Sequence, residues 1–352
     1  MTTENATVTG ISGTVARAIE SAGLEVPDVV RVVRAALEED FRYGPDVTSA
    51  ATVAGRTVTA DVVARETGVV AGLPAALAVL DLVGEYLGGG PGRPGGTGAG
   101  AAVGTPLVAD GTVIGAGDAV LRVTGDAVAV LGAERTLLNF LTHLSGIASA
   151  TRNWVTAVAG TGAVIRDTRK TLPGLRGLEK YAVRCGGGEN HRMGLGDAAL
   201  VKDNHVAAAG GITAAVRAVR AAAEAGPGAP AGASGTSGAT GAPGATGAPG
   251  APGAPGGGLV IEVECDSVAQ LREALEAGAS FILLDNMPVP VLREAVAVAR
   301  GYAGVRLEAS GGLHLSNARK VAETGVDYLA VGALTHSSRA LDLGLDYRTA
   351  GR

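Results

Sequence analysis

The pattern of apolar and polar positions divides this chain into two halves of different character. Between about Thr57 and Val130 apolar residues alternate with polar ones, in VTADVVA (58–64) and AVLRVTG (119–125), and this predicts half-buried strands separated by Gly turns. The apolar block LPAALAVLDLVGEY (73–86) between them predicts a helix, and an earlier helix is expected near Val29–Glu39. From Glu134 a long amphipathic helix carries Leu137, Leu138, Leu141, Leu144, Ala148 and Val155. Short apolar strands then alternate with helices: AVIRDTRK (163–170), AALVKDN (198–204), LVIEVEC (259–265), FILLDN (281–286), VRLEASGG (305–312) and DYLAVGA (327–333). Helices are expected over 267–278 and 315–325 between these strands. Such βα repetition predicts a parallel barrel, with its chemistry at the C-terminal ends of the strands.

The fold class expected is therefore α/β. Residues 1–27 read as a flexible N-terminal tail, 28–133 as a first α/β domain, and 134–352 as a barrel domain. Two low-complexity stretches interrupt this plan. GGGPGRPGGTGAG (88–100) reads as a flexible Gly-rich loop. Within about 226–258, every third residue from Gly232 to Gly256 is glycine, which is the collagen period. Eight triplets without a trimeric stem are too few for a stable triple helix, so a flexible insert is expected, at the barrel end opposite the catalytic face.

Composition narrows the function. Of 352 residues 47% are hydrophobic, so a large core is available, and the net charge of −5 argues against nucleic acid as a general partner. No apolar run approaches the roughly 20 residues that span a bilayer. No basic residue followed by an apolar run opens the chain, so no signal peptide is expected. Cys185 and Cys265 show neither metal-ligand nor disulfide-framework spacing, as expected of a cytoplasmic protein.

Against this acidic background, 163–205 is rich in cations: Arg169, Lys170, His191, Arg192 and Lys202. Buried cations are costly without an anion, and paired arginines suit a dicarboxylate through bidentate geometry. Arg176, Lys180 and Arg184 are compatible with solvated surface charge. Glu262 and Glu264 bracket Val263, and the expectation is that they lie on opposite faces with only one turned to the site. Asp285 ends the next strand, and carboxylates at adjacent strand ends can hold a divalent cation and sugar hydroxyls. Ser310-Gly311-Gly312 and Gly332-Ala333-Leu334 follow the last two strands, where phosphate-binding barrels place backbone N–H groups. The combination asks for a phosphorylated sugar and an acidic co-substrate. The competing readings are an enzyme that transfers the same sugar to another acid, such as nicotinate, a Schiff-base lysine at Lys170 or Lys202, and a non-catalytic phosphosugar-binding barrel.

The stretches ERTLLNFLTHLSGIASATR (134–152), DTRKTLPGLRGLEKYAVRCGGGENHRMGL (167–195), KDNH (202–205), EVE (262–264), LLDN (283–286), EASGG (308–312) and VDYLAVGALTHS (326–337) resemble the quinolinate phosphoribosyltransferases. The resemblance is dense over about 134–345. It implies an N-terminal open α/β sandwich, a C-terminal incomplete barrel of about seven strands, and a homodimer with a shared active site, open to higher assembly. It implies transfer of phosphoribosyl from phosphoribosyl pyrophosphate to quinolinate with loss of CO₂. Arg135, Arg169, His191, Arg192 and Lys202 would bind quinolinate, Arg135 reaching in from the neighbouring subunit. Lys170, Glu264, Asp285, Ser310, Gly311, Gly332 and His336 would bind phosphoribosyl pyrophosphate. Lys170, Lys202, Glu264 and Asp285 would be catalytic, and Glu264 and Asp285 would be the Mg²⁺ ligands. EEDFRYGPDVTS (38–49) departs from the family's Gly-Asp-x-Thr segment by an extra Pro45, which leaves the shape of that loop open.

Overall fold

The computed structural model of the chain describes residues 10–87, 102–225 and 259–348. The Gly-rich loop expected at 88–100 and the insert expected at 226–258 lie outside the described residues. The chain divides into two compact units, one of residues 1–152, 171–187 and 333–352, the other of 153–170 and 188–332.

The first unit is built on a four-stranded antiparallel sheet in the order β12-β1-β5-β3, where β1 is Thr57–Ala64, β3 Ala102–Pro106, β5 Ala119–Asp126 and β12 Leu343–Tyr347. Gly68–Val69 (β2) and Val113–Ile114 (β4) form a separate ribbon. The alternation read in VTADVVA is observed, with Ala60, Val62 and Ala64 buried. Helix Leu73–Leu82 is apolar nearly all round and buried along most of its length. The backbone N–H groups at its start, those of Gly72 and Leu73, donate to the Asp110 carboxylate, which also accepts from the Tyr181 hydroxyl (2.6 Å).

Three expectations are corrected here. The first concerns the N-terminal tail. Gly13–Ser21 is a helix, opened by Ser12 as N-cap, and Ile11, Val15, Ile19 and Leu24 are buried, because these few apolar residues fall at helical spacing. The second is that 134–352 is not one barrel domain. The last strand, β12, pairs with β1 from Ala60↔Tyr347 to Ala64↔Leu343, so the C-terminus completes the first unit's sheet. The third concerns Lys180, which is fully buried on helix Arg176–Cys185 and not a solvated surface charge. At the Pro45 turn the departure is absorbed locally: Gly44 takes φ 118°, and Asp46 caps helix Val47–Thr52 by accepting from Thr48 N (2.9 Å) and Ser49 N (3.0 Å).

The second unit holds a parallel sheet in the order β6-β11-β10-β9-β8-β7. Its strands are β6 Val164–Arg166, β7 Ala199–Val201, β8 Ile261–Cys265, β9 Phe281–Asp285, β10 Arg306–Ser310 and β11 Tyr328–Ala330. Beyond β6 a single parallel bridge, Arg166↔Glu189, stands where a further strand would run. Among the described residues the wall is thus six strands and one bridge, an incomplete barrel. Helices Ile212–Ala225, Val268–Glu276, Val289–Ala299 and Leu315–Ala322 alternate with the strands. The strands are short and flush: Ser310 lies level with Asp285 on one side and Ala330 on the other, and Ala330 level with Arg166. All the strands run the same way, so their C-terminal ends share one rim. No single described helix is long and apolar enough to cross a membrane.

Candidate active site

That rim opens on a cavity of about 620 Å³ lined by Thr168, Arg169, Lys170, His191, Arg192, Leu200, Lys202, Glu264, Leu283, Asp285, Asn286, Glu308, Ser310, Gly311 and Ala330. Every one of these residues belongs to the second unit. The expected strand AVIRDTRK stops at Arg166, and Asp167 onward forms a loop. Thr168 Oγ1 accepts the Lys170 N–H (3.0 Å) there, turning Arg169 and Lys170 to the rim. Lys202 follows β7 directly. Its backbone N–H donates to His205 Nδ1 (3.0 Å) at the start of helix Asp203–Ala209, which accounts for the spacing of KDNH.

The cations come close enough to repel one another. Burial lowers the affinity of the Arg192 guanidinium for its proton, and the nearby charge of Arg169 lowers it further. An anion between two such arginines relieves both effects. Lys202 Nζ lies 3.4 Å from Glu264 Oε2, so the ends of β7 and β8 set opposite charges side by side. Asp285 accepts from Asn286 Nδ2 (2.7 Å), while the Asn286 N–H donates to Ser310 O (2.8 Å). Asn286 has φ 53°, the sole positive φ off glycine among the described residues, and it abuts Gly311. Gly311 (φ 79°) and Gly312 (φ 59°) are successive left-handed residues beside Ser310, a turn in which backbone N–H groups can converge on phosphate oxygens.

The expectation for Glu262 and Glu264 is corrected. Residues two apart share a face of a strand, so both point to the same side of β8. Glu262 lies beneath the cavity against His191, and Glu264 lines the cavity itself.

Below the rim is a buried polar layer. Arg166 donates from Nη1 to Glu308 Oε2 (2.6 Å) and from Nη2 to Asn190 O (3.3 Å). Its guanidinium sits over the rings of Tyr328 (4.6 Å) and Phe281 (5.3 Å). His191 Nε2 lies 2.8 Å from Glu262 Oε2 and 3.4 Å from Glu308 Oε1. Burial pushes both carboxyls up to about 7, and for Glu308 the charge of Glu262 adds to the effect. The ligand atoms of His191, Glu262 and Glu308 lie within 4.8 Å of one another, a spacing that could suit a metal. Their bonding argues otherwise. His191 Nδ1 accepts the Arg192 N–H (2.7 Å), so Nε2 carries the ring proton and offers no lone pair, while Glu308 Oε2 already accepts from Arg166.

The two family models for quinolinate phosphoribosyl transferase match this chain, the N-terminal domain over residues 46–145 and the C-terminal domain over 147–227 and 256–346. The nicotinate-nucleotide pyrophosphorylase [carboxylating] of Mycobacterium leprae is 49% identical over 318 residues, covering 89% of this chain and 95% of that protein. The chain belongs to the quinolinate phosphoribosyl transferase family. A probable nicotinate-nucleotide pyrophosphorylase [carboxylating] of Bacillus subtilis is 39% identical across 67% of this chain and 70% of its own length. Among solved structures, the nicotinate-nucleotide pyrophosphorylase of Francisella tularensis matches with a TM-score of 0.74 at 32% identity, over 92% of this chain and 96% of that one.

Of the residues expected in this family member's site, Arg169, Lys170, His191, Arg192, Lys202, Glu264, Asp285, Ser310 and Gly311 line the one cavity. Gly332 follows β11 in the same unit but is not among the lining residues. Arg135, exposed on helix Ala127–Ala157, and His336, exposed at the end of helix Ala333–His336, belong to the first unit. Sequence reasoning missed Arg166, Asp167, Asn190, Asn286 and Glu308. The signal was present for two of them: a charged residue within an expected apolar strand, as Arg166 is in AVIRDTRK and Glu308 in VRLEASGG, requires a buried partner.

Proposed function

We propose that this protein transfers the phosphoribosyl group of phosphoribosyl pyrophosphate to quinolinate, releasing pyrophosphate and CO₂ and forming nicotinate mononucleotide for NAD biosynthesis. The observation that carries the reading is the meeting of four cations (Arg169, Lys170, Arg192 and Lys202), three carboxyl groups (Glu264, Asp285 and Glu308) and Gly311 of the Gly-Gly turn around one cavity. Arg169 and Arg192 bind the two carboxylates of the ring acid, with Lys202 beside them. Lys170 takes the pyrophosphate, and Ser310 and Gly311 hold the 5′-phosphate, with Gly332 and His336 as further members of that site. Charge that develops at the sugar carbon and the leaving oxygens is stabilised by groups already fixed in place. A ring nitrogen carrying the ribose becomes cationic, and this favours loss of the adjacent carboxylate.

Mg²⁺ fits the oxygen donors present. Glu264 and Asp285 end adjacent strands and line the same cavity, and one or two carboxylates plus substrate phosphates form the usual magnesium set. Bound with the diphosphate, the ion would neutralise the leaving group. The reading extends to a cytoplasmic homodimer with a shared site, in which Arg135 of the partner subunit reaches the ring acid. The exposure of Arg135 and the free thiols Cys185 and Cys265 support it.

The test is turnover of the purified chain with quinolinate, phosphoribosyl pyrophosphate and Mg²⁺, following nicotinate mononucleotide and CO₂, with nicotinate in parallel. Product from quinolinate that disappears without Mg²⁺ is expected. Product from nicotinate alone would overturn the substrate.

A further inference from the structure

His191 is so placed that both ring nitrogens are already engaged by the protein. Nδ1 accepts from the Arg192 backbone N–H at 2.7 Å, and Nε2 faces Glu262 at 2.8 Å and Glu308 at 3.4 Å. Its own backbone N–H donates to Asp167 Oδ1 (2.9 Å), whose other oxygen accepts from Asn190 Nδ2 (2.5 Å). Asn190 is held again through its carbonyl by Arg166. Arg192 is fixed beyond its backbone too, with Nη1 donating to Ala198 O (2.9 Å). Each residue of the turn Asn190-His191-Arg192 therefore rests on a buried group beneath the cavity.

From this geometry we infer that Glu262, acting through His191, is a positioning residue that fixes Arg192 for the ring acid, and that His191 serves as the connecting member of this chain. Glu308 and Arg166 complete the support: Arg166 ties Glu308 in place, and Glu308 leaves Glu262 as the nearer acceptor for the His191 proton. A short turn without regular secondary structure has no ladder of its own to set its register, so side chains below it must do so. Bidentate recognition of a carboxylate needs the guanidinium plane fixed closely, and small displacements of such a group weaken binding of that substrate specifically. None of the contacts named above runs to Ser310 or Gly311, where the proposed function puts the 5′-phosphate. The inference rests on the placement of the acid at Arg169 and Arg192.

The experiment is steady-state kinetics of the full chain carrying Glu262→Ala, Glu262→Gln, Glu262→Asp or Arg192→Ala. Glu262→Gln keeps an oxygen at the same reach to accept from His191 Nε2, whereas Glu262→Asp keeps the charge and withdraws the oxygen by one methylene. Glu262→Ala is expected to raise the quinolinate KM on the order of tenfold, with the phosphoribosyl pyrophosphate KM within about twofold of the parent. Glu262→Gln should restore most of the loss and Glu262→Asp should restore less, and these two variants decide the matter if Glu262→Ala does not fold. A rise in both KM values together, without rescue by Gln, would mean a merely structural role and overturn the inference. An unchanged quinolinate KM in Glu262→Ala beside a raised one in Arg192→Ala would overturn it while leaving the acid where it is placed. An unchanged value in Arg192→Ala would remove that placement, and the inference with it.

Discussion

Lys202 Nζ and Glu264 Oε2 face each other at 3.4 Å from the ends of neighbouring strands, each partly open to the cavity. Their attraction in the free enzyme is modest at this exposure. Under the proposed function they hold opposite charges ready for a ring acid on one side and a sugar with its cation on the other. Lys202→Ala is expected to lower kcat/KM for quinolinate by about 10²–10³, as removal of one preorganised charge contact does. Thermal stability should hardly change, and parallel melting and kinetic measurements separate the two.

Arg192 gives a second prediction. Its guanidinium is held beside Arg169, and burial and this like charge both disfavour its protonated form until an anion arrives. Arg192→Lys retains the charge but not the flat two-pronged donor. The quinolinate KM should rise by on the order of tenfold or more, and isothermal titration with quinolinate should show the same loss of affinity.

Much of this site could be read in advance, for a definite reason. Arg169, Lys170, Lys202 and Asp285 stand where apolar runs stop, and a polar residue at a strand's C-terminal end announces itself in the hydrophobic pattern. The buried layer is harder to see because its members sit against apolar neighbours, Glu308 within β10 and Arg166 as the last residue of β6, and their partners are remote: Arg166 and Glu308 are 142 residues apart. The misreading of Glu262 and Glu264 was one of period, since two residues make a full repeat of a strand. The N-terminal helix escaped notice because its apolar residues, Val15 and Ile19 among them, are sparse among small ones.

Gly311 supports a third prediction. It takes φ 79°, and a Cβ there would run into the side chain of Asn286. Gly311→Ala combines backbone strain with this overlap, a cost of about 1–3 kcal/mol for the turn. The expected outcome is a raised KM for phosphoribosyl pyrophosphate with that for quinolinate little altered, checked by varying each substrate at saturation with the other.

The paired carboxyls make stability depend on pH. Glu308 in the folded protein titrates near 7 instead of at its ordinary 4.5, so the folded state binds its proton more tightly than the unfolded chain does. That contribution is fully present below about pH 4.5 and is lost as the pH rises through about 7. Across this window the melting temperature of the parent should fall more steeply than that of Glu308→Gln, in which the group no longer titrates. Scanning calorimetry at several pH values in buffers of matched ionic strength would compare the slopes; equal slopes would refute the assignment.

The pairing of β12 with β1 joins Ala60 to Tyr347. During synthesis, the outer edge of β1 emerges with no neighbour and stays bare while nearly the entire remainder of the protein is made. An unpaired edge invites foreign strands, so this is the interval in which the nascent chain is most open to misassociation. Truncation before Leu343 would leave that edge bare for good, even though every residue lining the cavity would still be present.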